Sequence, residues 1–461
     1  MAWNEQKTRL QIFRIIRESL FAQEMCGEQD RGYEDRGSED CARGKCGSED
    51  CSLEECDWNA VYAEMKDHAI AFLAQKWLEN GAKKSGMNEA LRSEWLRGCM
   101  RQQVRWIQIM SAQERLLRVL AENQIECVII KGAAAAIYYP QPSLRAMGDI
   151  DFLVKREDYE RAARVLEENG YEQEHGHNFS HHHYGYRKDD VSFELHRRLG
   201  IVQESDEATL GLFEDGIERR QMVQIGSFRY PILPAELNGL VLMFHINQHL
   251  RSGLGLRQII DWMMYLDRNN NLQELLPLFR KTGMEKLALT VTAMCQEYLG
   301  LGGMSEEADE VLAREALARE AGEALAREDI AEEAGEVSAR EALAIDPGAY
   351  PTQELMDYIY EKGNFGTKSG EEGKIASVFL IATSPLQLFR RLQAGGLSRW
   401  KAAGKYRFLR PFAWIYQIGF ILRELASHGI SPGRFMRQHG TGVRQRDLIH
   451  KLGLEIDRNI N

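Results

Sequence analysis

Apolar positions along the chain fall into three textures. Residues 1–25 and 58–124 carry them at helical spacing, through Trp58–Leu78 and again through Trp95–Leu120, with no strand alternation between. The texture changes at Gln124. Ile125-Glu126-Cys127-Val128-Ile129-Ile130 is short, apolar and β-branched, which predicts a buried strand that ends at Lys131-Gly132. Ala133 to Tyr139 reads as a short helix before Pro140 and Pro142, and Asp149 to Val154 as a second strand. Glu157 to Asn169 has the spacing of an amphipathic helix, and Gly170 stands where such a helix ends. Tyr184–Lys188 and Val191–His196 read as strands joined by a turn at Asp189-Asp190, and residues 220–233 as a strand pair around Gly226-Ser227. From Pro234 the pattern is helical again, over Ala235–Leu250, Leu256–Arg268 and Leu272–Leu299, and residues 350–461 form a last helical region.

This order predicts an α/β (α+β) protein, with a small mixed-sheet domain flanked by predominantly helical regions. The expected organisation is an N-terminal helical region over 1–114, the α/β domain over 115–233 and a helical domain over 234–304. A biased tract over 305–345 follows, then a C-terminal helical region over 346–461.

Composition sharpens these boundaries. The chain has 461 residues, 44% of them hydrophobic, and a formal charge of −11. Segment 27–56 is net −6 and segment 305–345 net −9, so the remaining chain is about +4. The acidity sits in two inserts, and the body lacks the strongly basic footprint of a nucleic-acid binder while leaving room for a small anionic substrate. The 305–345 tract repeats Ala-Leu-Ala-Arg-Glu without a persistent stripe of large apolar residues, which fits a solvated helix or disordered insert rather than a coiled coil.

Lys7, Arg9, Arg14 and Arg17 are spread through an amphipathic N-terminal pattern that lacks a leader's apolar stretch. The apolar run Pro411–Leu422 lies between Arg410 and Arg423 and is too short to span a bilayer. A cytoplasmic protein is expected. Cys41, Cys46, Cys51 and Cys56 recur every five residues inside the acidic insert 26–57, a spacing wider than paired zinc ligands usually have. Gly-Ser-Glu-Asp-Cys occurs twice there, at 37–41 and 47–51, so a disordered insert with free thiols is preferred to a zinc site.

The chemistry centres on Gly148-Asp149-Ile150-Asp151. Residues i and i+2 of a strand share a face, so two carboxylates stand side by side, which is costly unless a cation neutralises them. Hard cations such as Mg²⁺ take oxygen ligands and keep positions open for substrate phosphates. Three features add weight. Lys131-Gly132 follows a buried strand, where glycine lets the backbone approach a phosphate group. Arg145 has the fork geometry to hold phosphate oxygens, and Glu194 on a neighbouring strand offers a third carboxylate. His196 shares the face of Glu194 as an orienting or phosphate-binding group.

At these residues the chain resembles the polymerase-β-like nucleotidyltransferase superfamily, and within it the uncharacterised nucleotidyltransferase branch. The resemblance rests on Lys131-Gly132, Tyr139-Pro140, Arg145, Gly148 to Asp151, Gly170-Tyr171 and Glu194-Leu195-His196. It continues into His245, His249 and Leu256 to Asp261, and covers roughly residues 115–270. It implies Asp149, Asp151 and Glu194 as catalytic, Mg²⁺-binding carboxylates, with Lys131, Gly132, Arg145 and His196 around the nucleotide. An acceptor hydroxyl would attack the α-phosphate of a nucleoside triphosphate and release pyrophosphate. The wider superfamily often has Gly-Ser after its first strand. Gly132-Ala133 here lacks that hydroxyl, leaving Lys131 and backbone amides to hold the phosphate.

Other clusters carry weaker expectations. His175, His177, His181, His182 and His183 read as a polar rim rather than a transition-metal site, because successive strand residues point to opposite faces. His245 and His249 share a helical face, for packing or for substrate contact. The basic stretch around Arg390 to Arg410 reads as a solvated helical face, with nucleic-acid or membrane-surface contact as the alternative. Two functional rivals stand beside the small-molecule enzyme: a non-catalytic member that binds a nucleotide or a partner, and a transferase acting on protein or tRNA.

Overall fold

The computed structural model describes residues 2–27, 56–80, 86–174, 183–199, 206–302, 347–369, 385–400, 402–403, 406–427 and 439–454. The 305–345 tract, most of the Cys-rich insert and His175, His177, His181 and His182 lie outside the described residues. The chain enters through α1 (Ala2–Gly27), α2 (Trp58–Asp67) and α3 (Gln75–Asn80), and α4 (Glu89–Glu122) then runs into the sheet domain. Asp57 caps α2 by accepting from the amides of Asn59 and Ala60, and Asn88 caps α4 by accepting from that of Ala90.

The sheet follows: β1 (Cys127–Ile130), the short helix α5 (Gly132–Ala136), β2 (Asp149–Val154), α6 (Tyr159–Glu168) and the two-residue β3 (Glu172–Gln173). The hairpin β4 (His183–Lys188) and β5 (Val191–His196) turns at Asp189-Asp190, both at positive φ (49° and 59°), as a two-residue hairpin turn of matching twist requires. After α7 (Glu207–Glu218) come β6 (Gln221–Ile225) and β7 (Phe228–Ile232). The seven strands lie in the order β3-β4-β5-β2-β1-β7-β6. β1 pairs antiparallel with β2 and parallel with β7, and β2 pairs parallel with β5, so the sheet is mixed.

Strand alternation splits the core in two. Cys127, Ile129, Ile150, Phe152, Phe193 and Leu195 pack on one face with α6 and the second half of α4. Val128, Ile130 and Leu153 face the other way, into a larger core shared with the helices. Those helices are α8 (Ala235–Ser252), α9 (Leu256–Asn269), α10 (Leu272–Thr282) and α11 (Glu285–Met294), then α12 (Thr352–Lys362). The single helix expected over Leu272–Leu299 is divided at Gly283, which caps α10 at φ 71°. Helix α9 is buried from Gln258 to Leu266, polar Gln258 and Asp261 included, with Ile259, Ile260, Trp262, Met263 and Leu266 sealed from solvent. Helices α13 (Pro385–Arg399) and α14 (Ala413–Ser427) pack on one another, and α15 (His439–Lys451) touches α12. Among the described residues no helix is long and apolar enough to cross a membrane, and Cys56, Cys99, Cys127 and Cys295 are free thiols.

Candidate active site

Strand register builds the site. Asp151 lies opposite Ile130 of β1 and level with Glu194 of β5, while Asp149 is level with Ser192. Paired residues at one level share a face, so Asp149, Asp151, Glu194 and His196 continue the face on which Val128, Ile130 and Leu153 are buried. His183 of β4, directly opposite His196, extends the row. The face is apolar where helices cover it and charged at one end, where a cavity of about 180 Å³ opens. The cavity is lined by Lys131, Gly132, Asp149, Asp151 and Glu194 from the sheet side, and by residues of α8, α9 and Phe365 opposite.

Lys131 caps α5 at φ 51°, a conformation rarely adopted by side-chain-bearing residues and often found at functional turns. Its ammonium donates to Asp151 Oδ1 at 2.7 Å and lies 3.9 Å from Glu194 Oε2. His196 Nε2 is 2.9 Å from the same Asp151 oxygen and 3.3 Å from Glu194 Oε2. Burial opposes the charged form of each group, yet the cluster overrides it. Lys131 is raised by Asp151 and Glu194, and His196 by its bonds to both, while Lys131 and His196 hold Asp151 well below the usual carboxylate range. Asp149 goes the other way. Burial, then the charges of Asp151 and Glu194, push it up to about 6.

Arg145 also lines the cavity, but its fork is engaged. Nε and Nη2 each donate to an oxygen of Asp261 at 2.7 Å, and Tyr139 OH donates to the same carboxylate at 2.8 Å. Arg257 of α9 differs. It makes no salt bridge among the described residues; Nη1 donates to the Ala146 carbonyl at 3.2 Å, and Nε is buried with no acceptor. Burial and the nearby charge of Arg145 lower its pKa. A half-buried guanidinium that lines the cavity and makes no salt bridge has donors to offer an anion.

His245 and His249 form the same wall, their Nε2 atoms 2.9 Å apart, so one donates and one accepts. Burial holds His245 well below its ordinary value and takes His249 down to about 3, with Arg257 and Lys131 adding repulsion. Phe365 closes the rim edge-on to His249, 4.6 Å between centroids. It arrives through a close approach at Gly253, whose carbonyl accepts from the Phe365 amide at 3.1 Å. A Cβ on Gly253 would lie 2.0 Å from the Gly366 nitrogen.

The structure thus brings Lys131, Gly132, Arg145, Asp149, Asp151 and Glu194 to one cavity, with His196 bonded to its carboxylates. Sequence reasoning took in Arg257 only as part of the Leu256–Asp261 run, with no role of its own, and did not single out Gln248, Ser252 or Phe365. Arg257 and Asp261, four apart among the apolar residues of the first half of α9, were the available signal, because charges on a buried face need partners; Phe365 had none. The donor set fits a hard divalent cation. Asp149, Asp151 and Glu194 line one cavity, with the Lys131 ammonium beside Asp151 and Glu194, and the charges of those two carboxylates add to burial in raising Asp149; oxygen donors of this kind are what a hard cation takes.

No curated protein matches the chain. Among solved structures it is similar to an antigenic nucleotidyltransferase-like protein from Paracoccidioides brasiliensis, with 18% identity and a TM-score of 0.25; the match covers 40% of this chain and 92% of that one. The model of the uncharacterised nucleotidyltransferase family matches residues 54–300, more than half of the chain, and the protein belongs to that family.

Proposed function

We propose that this protein transfers a nucleoside monophosphate from a nucleoside triphosphate to an acceptor hydroxyl, releasing pyrophosphate, as a cytoplasmic Mg²⁺-dependent enzyme. The observation that carries the reading is the register pairing Asp151 with Glu194, with Asp149 two residues away on the same strand face beside the cavity. Asp149, Asp151 and Glu194 would hold Mg²⁺, which when bound supplies charge neutralisation for the phosphates and the leaving pyrophosphate. Lys131 and His196 keep Asp151 ionised and fixed. Glu194 stands half-buried at the cavity wall, placed to accept the hydrogen bond of an attacking hydroxyl and orient it. Arg257 faces the carboxylates from α9, placed to receive phosphate oxygens, a task Arg145 cannot share while Asp261 holds it. Gly132 leaves the cavity floor open to a phosphate.

The test is pyrophosphate release from each of the four nucleoside triphosphates with Mg²⁺, comparing the wild-type chain with Asp149→Asn and Asp151→Asn. Turnover falling at least about a hundredfold in either variant, with the fold retained, supports the reading. Undiminished turnover in either variant overturns it.

A second reading has its own observation. Lys131 already occupies the position of a cation beside Asp151, and Ala133 removes the hydroxyl common in the superfamily. A non-catalytic nucleotide-binding member would show calorimetric binding of ATP with no pyrophosphate. Labelled nucleotide incubated with cell lysate separates the remaining acceptors, since label entering protein or tRNA identifies a macromolecular one.

A further inference from the structure

The hairpin β4–β5 holds a second constellation on the same sheet face. His183 and His196 are directly opposite across the hairpin, and Glu194 stands two residues before His196, so all three side chains share one face. One ligand atom from each lies within 4.8 Å of the other two. His196 Nε2 is 3.3 Å from Glu194 Oε2, and His183 Nε2 is 3.8 Å from Glu194 Oε1. Tetrahedral ligands about 2.1 Å from a zinc ion are about 3.4 Å apart, so side-chain adjustments of up to about 1.4 Å, with His196 Nε2 leaving its 2.9 Å contact with Asp151 Oδ1, close this group around one ion. Access is open on one side: the side chains of His183 and Glu194 are 20% and 30% exposed, and that of His196 is 5%.

We propose that His183, Glu194 and His196 form a binding site for a borderline divalent cation, Zn²⁺ in the first instance, adjacent to the hard-cation position of Asp149 and Asp151 and sharing Glu194 with it. Two imidazole nitrogens and one carboxylate are the donors that zinc takes and magnesium avoids. Three protein ligands with an open side leave a fourth position for water, the pattern of a reactive rather than a purely structural site. Zinc uptake is read without nucleotide turnover, so its failure and the failure of the transferase reading are distinguishable.

The experiment is calorimetric titration of Zn²⁺ into the full chain carrying Cys41→Ser, Cys46→Ser, Cys51→Ser and Cys56→Ser, so that thiolates of the acidic insert do not compete. One equivalent should bind, and the melting temperature should rise with zinc concentration. Adding His183→Gln should weaken binding by about a hundredfold while circular dichroism shows the fold unchanged. Adding Asp149→Asn should leave the affinity as it was. Failure of the four-serine chain to take up one equivalent overturns the proposal, and so does His183→Gln binding as tightly as its parent. A loss with Asp149→Asn as large as that with His183→Gln places the zinc among the magnesium ligands and equally overturns it. Mg²⁺-dependent pyrophosphate release measured on the same proteins reports on the transferase reading alone.

Discussion

Arg145 and Asp261 close a two-pronged ion pair 116 residues apart in sequence, Nε to Oδ1 and Nη2 to Oδ2 at 2.7 Å each, with almost no solvent at either side chain. The pair fastens the segment between β1 and β2 to α9, so the carboxylate strand and the helix bearing Arg257 keep one relative position. Tyr139 completes the carboxylate's bonding, and desolvation raises its own hydroxyl pKa well above the ordinary value. A parallel fork this deeply buried is satisfied on both sides and has no free donors to offer a substrate on the Asp261 side.

Replacing one member leaves the other charge buried and unpaired. Asp261→Asn and Arg145→Gln should each lose about 3–5 kcal/mol of stability, read from urea midpoints. The double variant Arg145→Met with Asp261→Leu should recover much of that loss, because neither charge is then stranded. If both single variants are as stable as wild type, the pair is not the fastening it is described as.

Arg257 makes the opposite case. Its guanidinium is half-buried, makes no salt bridge among the described residues, and its Nε lacks an acceptor. Arg257→Met should therefore change stability by less than about 1 kcal/mol, because a half-buried guanidinium keeps part of its hydration and has no ion pair to lose. The same change should lower kcat/KM for the nucleotide at least about tenfold by removing the anion-facing group. A destabilised but fully active variant would show Arg257 to be a packing residue only.

Lys131 supplies the internal positive charge for Asp151 and Glu194. Lys131→Met should destabilise the metal-free chain by about 3–5 kcal/mol, since Asp151 then keeps only His196 as counter-charge. Millimolar Mg²⁺ should restore part of the loss, and should raise the melting temperature of the variant more than that of wild type. Equal responses to magnesium in both proteins would mean that the cation binds elsewhere.

Much of this architecture was legible in the residues. The β-branched run ending at Ile130, the alternation through Asp149–Val154 and the Asp189-Asp190 turn each have a local cause, so their elements fall within a residue or two of expectation. That Asp149 and Asp151 share a face was legible for the same reason, because period-2 alternation fixes it before any tertiary contact is known, whereas the level pairing of Glu194 with Asp151 comes from the β2–β5 register. Glu207–Glu218 was passed over although Leu210, Phe213 and Ile217 stand at helical spacing there, because two glycines and flanking acids break up a short pattern between two strand signals. The far wall of the cavity was not legible. Phe365 reaches it only because Gly253 and Gly366 allow two backbones to touch across 113 residues of sequence, and no local pattern encodes that meeting. Arg145 and Arg257 look equivalent as residue types, and only the position of Asp261 separates a structural guanidinium from an anion-facing one.

His245 and His249 give the chain an acid-sensitive wall. Both are neutral when folded, because burial disfavours the imidazolium and Arg257 and Lys131 repel it. Unfolded histidine titrates near 6.5, whereas folded His249 does so at about 3, so protons bind preferentially to the unfolded chain between those values. The stabilisation from neutral His249 is complete above pH 6.5, and falls as pH drops toward 3. At pH 5 the loss amounts to at most about 2 kcal/mol for each histidine, and it adds to whatever the carboxylates contribute. His249→Gln keeps a neutral hydrogen-bonding group of similar reach but cannot take up the proton. Urea midpoints measured from pH 7.5 to pH 5 should therefore fall less steeply in the variant than in wild type, while the two curves run parallel above pH 7. Identical slopes across the acid range would mean that His249 is already protonated in the folded chain, and that the bond to His245 is not the neutral one its 2.9 Å geometry requires.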